Sequence, residues 1–195
     1  MAQVKILIPG YARESARTEH VLCTTTLIIN GQQKIIFDPG ADQRKITRAL
    51  KKHHLKLTDI THVFLSHKHV DHSLAMGIFL NAAVITSKHY NKKNVIKDIP
   101  LDYFGQEIKI IKTPGHTPDH ASLLVETDLG KILVAGDLWW WWENEKQKTD
   151  YKSLINKKDS FADNKKKLIN SRRLALKIAN YIIPGHGPMF KNLKK

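Results

Sequence analysis

The stretch HKHVDH, His67 to His72, sets three imidazoles and a carboxylate side by side. Imidazole holds zinc and similar first-row metals and carboxylate suits harder ions, so this mixture points to Zn, Fe or Mn. On an extended segment His67 and His69 lie two apart and point the same way, while Asp71 and His72 fall at the turn that starts a helix. Further candidates recur at the ends of apolar runs: Asp38 after Ile35-Ile36-Phe37, His116 after Ile110-Ile111, Asp137 after Leu133-Val134-Ala135, and His186 after Ile182-Ile183. Strand ends meeting loops are where open sheets build sites. Gly40, Gly115, Gly136 and Gly185 stand beside these residues, where the backbone must turn sharply. Two neighbouring ions fed by such a set would clamp the attacking and leaving oxygens of a hydrolysis and turn water into hydroxide near neutral pH.

The elements that must position these groups can be read from periodicity. Residues 4–8 form a strand stopped by Pro9-Gly10, and the runs 24–29 and 34–37 meet across Asn30-Gly31, the strongest local hairpin signal. Residues 42–55 carry Ile46, Ala49, Leu50 and His53 at helical spacing. Strands follow at 60–65, 83–86 and 107–111, with a helix at 73–80. A hairpin spans 121–125 and 132–135, the longest helix covers 162–179, and a strand occupies 181–183. Segments 9–20, 87–105 and 138–160 carry no motif and read as the loops that select a substrate. Sheets covered by helices on their outer faces are the expected result, and no linker or repeat divides residues 1–195 into more than one domain.

The chain has 195 residues, Lys+Arg 32 against Asp+Glu 18, and a formal charge of +14. Its one cysteine, Cys23, excludes an internal disulfide and a multi-cysteine zinc cluster. It is expected to pack as a small hydrophobe. The N-terminus lacks a signal h-region with a cleavage site, and no window approaches the roughly 18 apolar residues of a membrane span, so a cytoplasmic protein with no membrane partner is expected.

The motifs HKHVDH at 67–72, FDPG with Asp38, PGHTPDH with His116, VAGD with Asp137 and IPGHG with His186 resemble, in order and spacing, the metallo-β-lactamase superfamily. The resemblance runs from about residue 4 to 190 and implies an α/β fold, a four-layer αββα sandwich with the site at the edge between two sheets. It implies that His67, His69 and His116 hold one metal, that Asp71, His72 and His186 hold a second, and that Asp137 bridges both. The cofactor would be two zinc ions, with Fe or Mn fitting the same set. Asp38 would support the ligands from behind, as would His120, and outer partners of this kind fix the tautomer of ligating histidines. A metal-bridging hydroxide would be the nucleophile, with Asp71 handling its proton. His20, His53, His54, His62 and His89 read as surface residues.

Asp137 argues against β-lactam hydrolysis as the main activity, since lactamases of the commonest subclass carry Cys there. An Asp bridge is the pattern of the glyoxalase II, lactonase and RNA-processing branches. The start VKILIPGYA and the end SRRLALKIANYIIPGHGPMF are similar to the short metallo-β-lactamase domain-containing protein 1 group, which includes a single-stranded RNA endonuclease. Between Lys146 and Arg173 stand ten Lys/Arg against three Asp, a basic strip of the kind an RNA backbone needs. The expectation is therefore a phosphodiesterase cutting single-stranded RNA. The alternative is a hydrolase of a small ester, thioester, lactone or β-lactam. Trp139, Trp140, Trp141 and Trp142 follow the bridging residue and are candidates for base stacking, for a hydrophobic substrate wall, or for a homodimer interface.

Overall fold

Alternation along the strands sorts the apolar side chains into three packed interfaces. The computed structural model describes residues 1–193. Its first part runs β1 (Gln3–Ile8), β2 (Tyr11–Ser15), β3 (Thr18–Leu22), β4 (Thr25–Asn30), β5 (Gln33–Phe37), α1 (Gln43–Lys52), β6 (His62–Phe64), α2 (Val70–Ser73), β7 (Ala83–Ile85), β8 (His89–Lys92) and β9 (Val95–Asp98). The second runs β10 (Ile108–Lys112), β11 (Ala121–Thr127), β12 (Gly130–Trp140), α3 (Tyr151–Asn156), α4 (Lys165–Ile178), β13 (Tyr181–His186) and β14 (Phe190–Lys191). Two sheets result, ordered β1-β4-β5-β6-β7-β8-β9 and β10-β11-β12-β13-β14, with β2 and β3 forming a separate ribbon.

In the β4–β5 hairpin Leu27 pairs with Ile36 and Ile28 with Ile35. Because side chains alternate across a sheet, the first pair faces outward and the second inward. Leu27, Ile36 and Val63 receive Ile46, Ala49 and Leu50 of α1. Ile28, Ile35, Phe37 and Phe64 meet Ile108, Ile110, Leu123 and Val134 of the opposite sheet. On the far side Leu133, Ala135 and Ile182 are covered by Leu154 of α3 and by Leu168 and Leu176 of α4. The layers are thus αββα, as expected. Both long helices start on a side-chain cap: Asp42 accepts from the N–H groups of Arg44 and Lys45, and Asn164 from that of Lys167. No helix among the described residues is long and apolar enough to cross a membrane.

In each half a hairpin is followed by a helical crossover to a parallel strand, β5–α1–β6 and β12–α4–β13. Parallel strands end at the same edge, which brings the candidate ligands together. Four segments differ from expectation, and the first is 138–160, read as a loop, which holds the end of β12 and, capped by Asp150, the whole of α3. Residues 87–105 contain the β8–β9 hairpin, which turns at Lys93 with φ +54 rather than at a glycine. Residues 9–20 contain most of the β2–β3 ribbon; its largely exposed, polar residues give no alternation to read. The helix expected at 73–80 is one α-turn, α2, continued as 3-10 turns over Leu74–Ile78.

Candidate metal centre

A bulge at Gly136 sets the centre of the site. Gly136 has φ +55, and a Cβ there would lie 2.8 Å from the Ser66 Cβ and 2.9 Å from His120 Nε2. The register of β12 against β13 shifts on either side of it, and the irregularity aims Asp137 into the edge between the sheets. The sequence signal for a strand end at Ala135 was this bulge, beyond which β12 runs on to Trp140.

Two donor sets flank Asp137. His67, His69, His116 and Asp137 offer ligand atoms that lie within 4.8 Å of one another, as do those of Asp71, His72 and His186. In the first set, His69 Nδ1 stands 2.9 Å from His67 Nε2 and 3.1 Å from His116 Nε2. Asp137 Oδ2 lies 3.4 Å from His116 Nε2 and 3.9 Å from His67 Nε2. In the second, Asp71 Oδ2 is 3.4 Å from His72 Nε2 and 3.3 Å from His186 Nε2. Asp137 Oδ1 is 3.3 Å from His72 Nε2 and 3.7 Å from His186 Nε2. One carboxylate oxygen thus faces each set.

The outer Nδ1 atoms of His67, His72, His116 and His186 are all engaged. His67 Nδ1 meets Ser66 Oγ at 2.8 Å, and that hydroxyl donates to Asp38 Oδ2. His72 Nδ1 meets the same Asp38 oxygen at 2.7 Å, His116 Nδ1 meets Asp159 Oδ2 at 2.8 Å, and His186 Nδ1 lies against the carbonyls of Tyr11 and Leu22. With each Nδ1–H donated outward, each Nε2 keeps its lone pair for the interior. His120 accepts from the Asp137 N–H through Nε2 and meets Thr113 Oγ1 through Nδ1. Asp38 and His120 therefore stand behind the two donor sets. Asp38 does so with φ +49, a conformation Asp tolerates better than most residues.

These residues fit divalent metal ions. Three ring nitrogens around one point exceed what one shared proton can serve, and in the second set His72 Nε2 and Asp137 Oδ1 are buried without a hydrogen-bond partner. Burial, then repulsion by His72, holds His67 well below the usual imidazole range, and burial, then His116, lowers His69, so these two imidazoles favour their neutral, electron-donating form. Burial alone would raise Asp137, but the charges of His72 and then His186 outweigh it and hold the carboxylate ionised. Burial resists charge on His72 and His186 too, yet Asp137 raises both. The cluster therefore draws positive charge to the point where a second cation would sit. Cys23 is buried, as expected, and burial pushes its thiol beyond the physiological range.

The pocket over Asp137 has a volume of about 290 Å³ and is walled by Val21, Val70, Trp140, Trp142 and Phe161, with Glu19 at its rim. Among the described residues no Lys or Arg lines it. Of the tryptophans, Trp140 and Trp142 face this pocket, their rings edge to face at 5.2 Å. Trp139 and Trp141 alternate to the other side and pack against Phe190, so they are core residues and cannot touch a substrate. Trp139, Trp140 and Trp141 are no more than 5% exposed, and only Trp142 of the run is half-buried. The basic strip is smaller than its sequence count: Arg172 is 1% exposed, and Lys157 is paired with Glu145. His62, expected at the surface, is half-buried against Tyr103 and Phe104, and burial lowers it to about 4. Sequence reasoning missed the support given to His116 by Asp159, an aspartate in a lysine-rich segment that no motif marks.

Comparison with known proteins gives four findings. A family model described as Metallo-beta-lactamase superfamily matches residues 19–97. The chain is 29% identical to metallo-beta-lactamase domain-containing protein 1 of Xenopus laevis over 98% of its own length and 82% of that protein. It is 30% identical to an N-acyl homoserine lactonase of a Bacillus species over 71% of its length, and spans 61% of that relative. In structure it is similar to a putative metallo-beta-lactamase from Thermotoga maritima, with a TM-score of 0.68, 19% identity, and coverage of 97% of this chain and 99% of that one.

Proposed function

Since the chain belongs to the metallo-β-lactamase superfamily and is a metal-dependent hydrolase, we propose that it hydrolyses a neutral carboxylic ester, lactone or thioester with an apolar acyl part. His67, His69 and His116 would hold one divalent ion and Asp71, His72 and His186 a second, with the Asp137 carboxylate between the two sets. Two such ions, when bound, would supply a Lewis acid for the carbonyl and bring the pKa of bound water down to near neutrality. The protein's own residues do the rest. Asp71, partly open to the pocket, accepts the proton released by the attacking water. Trp140, Trp142 and Phe161 hold the acyl part and exclude solvent. The 61%-spanned lactonase relative agrees with a carbonyl substrate.

The observation that carries this reading is the pocket lining, which beyond His69, Asp71, His116, Asp137 and His186 at its base is aromatic and aliphatic with one glutamate and no Lys or Arg. A phosphodiester brings a negative charge at every step and needs Lys or Arg beside the metals, whereas the exposed lysines of 146–167 lie outside the pocket. The RNA expectation retains those lysines and the +14 charge as its support. A panel of aryl ester, lactone, thioester and β-lactam substrates, run beside a 5′-labelled single-stranded RNA, separates the two. The expected result is turnover of carbonyl substrates that is lost on metal removal and in Asp137→Ala, with the RNA intact. Metal-dependent cleavage of RNA with the carbonyl panel untouched would overturn it.

A further inference from the structure

Arg172 belongs to the segment of sequence that reads as a phosphate-binding face, yet it is the second largest of the fully buried side chains, after Trp139. Its Nε donates to the carbonyl of Leu138 at 2.8 Å, and its Nη1 to the carbonyls of Ile155 and Lys157. The last two carbonyls sit where α3 ends. The chain then runs directly into Asp159, whose Oδ2 meets His116 Nδ1 at 2.8 Å and whose Oδ1 accepts from the N–H of Phe161 at 3.0 Å. Lys157, whose carbonyl is held by the same guanidinium, lies with Nζ 5.0 Å from the centre of the Trp140 ring, and Phe161 packs on that ring at 5.6 Å.

We propose that Arg172 is a positioning residue. By clamping three carbonyls around α3 and β12 it fixes the segment from Lys157 to Phe161, and through Asp159 it sets the ring of His116 toward the first metal. A planar guanidinium spreads donors in a fixed fork that an ammonium cannot reproduce. The backbone of His116 has separate support, since its carbonyl accepts from the N–H of Asp163 and that of Gly115 from the N–H of Asn164. What Asp159 adds is ring orientation and the position of the Nδ1 proton. A ligating histidine that loses such a partner typically loses about 10- to 100-fold in metal affinity.

This inference rests on the metal-hydrolase reading, and its test has one readout that does not. In the metal-free protein the His116 Nδ1–H, bonded to a carboxylate, gives a protected, downfield proton resonance in nitrogen-edited NMR. That resonance disappears in Asp159→Asn and broadens or shifts in Arg172→Lys. Zinc titration against a chromophoric chelator then measures the two binding steps. The expected result is a loss of about 10- to 100-fold in the tighter step for Asp159→Asn, a smaller loss in the same direction for Arg172→Lys, and less than threefold further loss when both changes are combined. Such non-additivity marks one pathway. Wild-type zinc affinity in Asp159→Asn, or full additivity of the two changes, would overturn the proposal. If the wild type takes up no zinc while the resonance responds as described, the hydrolase reading falls and the positioning role stands.

Discussion

Gly185→Ala adds one methyl group at the point where β13 crosses behind the Asp137 carboxylate. A Cβ built on Gly185 falls 1.8 Å from Asp137 Oδ1 and 3.1 Å from the Gly136 carbonyl carbon. Real Cβ atoms essentially never come within 3.0 Å of another heavy atom, so the Asp137 oxygen or the strand must move by more than about 1 Å. Misplacement on that scale costs on the order of 100-fold in rate, equivalent to roughly 2.7 kcal/mol of transition-state stabilisation. It should also weaken the second metal set, because Oδ1 is the oxygen that faces His72 and His186. Gly77→Ala is the control, since nothing stands within 4 Å of a Cβ there. The assay is kcat/KM on the best carbonyl substrate together with bound metal per chain. Gly185→Ala with kcat/KM within threefold of wild type and unchanged metal content would refute the role given to Asp137 and its geometry.

Asp38→Asn leaves one acceptor atom where Asp38 uses both oxygens for Ser66 N–H, Ser66 Oγ and His72 Nδ1; the charge-assisted bonds lost should lower stability by about 1.5–3 kcal/mol in urea unfolding and weaken the second zinc step about 10- to 100-fold. Trp139→Ala should cost about 3–5 kcal/mol, because this wholly buried ring donates to the Leu154 carbonyl, whereas Trp142→Ala should leave the melting temperature nearly unchanged and raise KM for long acyl chains. Burial, then His116, lowers His120 to about 3 in the folded protein against 6.5 in the free group. The unfolded chain therefore binds a proton that the folded one refuses between these values, so stability falls with acid. Going from pH 6.5 to 4.5 should remove about 2–3 kcal/mol through this group, and metal-free His120→Asn should show a shallower pH dependence of its urea midpoint by that amount.

What could be read in advance depended on whether a residue's neighbours in sequence are also its neighbours in space. His67, His69, Asp71 and His72 sit on one turn, and Asp38, His116, Asp137 and His186 each close an apolar run, so the sequence pattern marked them as strand-end candidates, while their meeting at one edge was implied by the family resemblance. The same logic made the β4–β5 hairpin and α1 visible. The β2–β3 ribbon escaped because few of its residues are buried, and an exposed ribbon carries no hydrophobic period. Asp159 and Arg172 escaped for the opposite reason: they are buried and polar in a segment whose composition is that of a solvated face, and only tertiary contacts distinguish them from the lysines around them. The four tryptophans were divided by strand alternation, which could be applied only once β12 was known to run through the bulge at Gly136.

The most direct test of the account is the number of zinc ions bound per chain by the wild type, beside His69→Ala and His186→Ala, each removing a ligand unique to one set. Two ions in the wild type and one in each variant are expected, with carbonyl hydrolysis lost in both. A wild type that saturates at one ion, or variants that still bind two, would contradict a centre divided about Asp137.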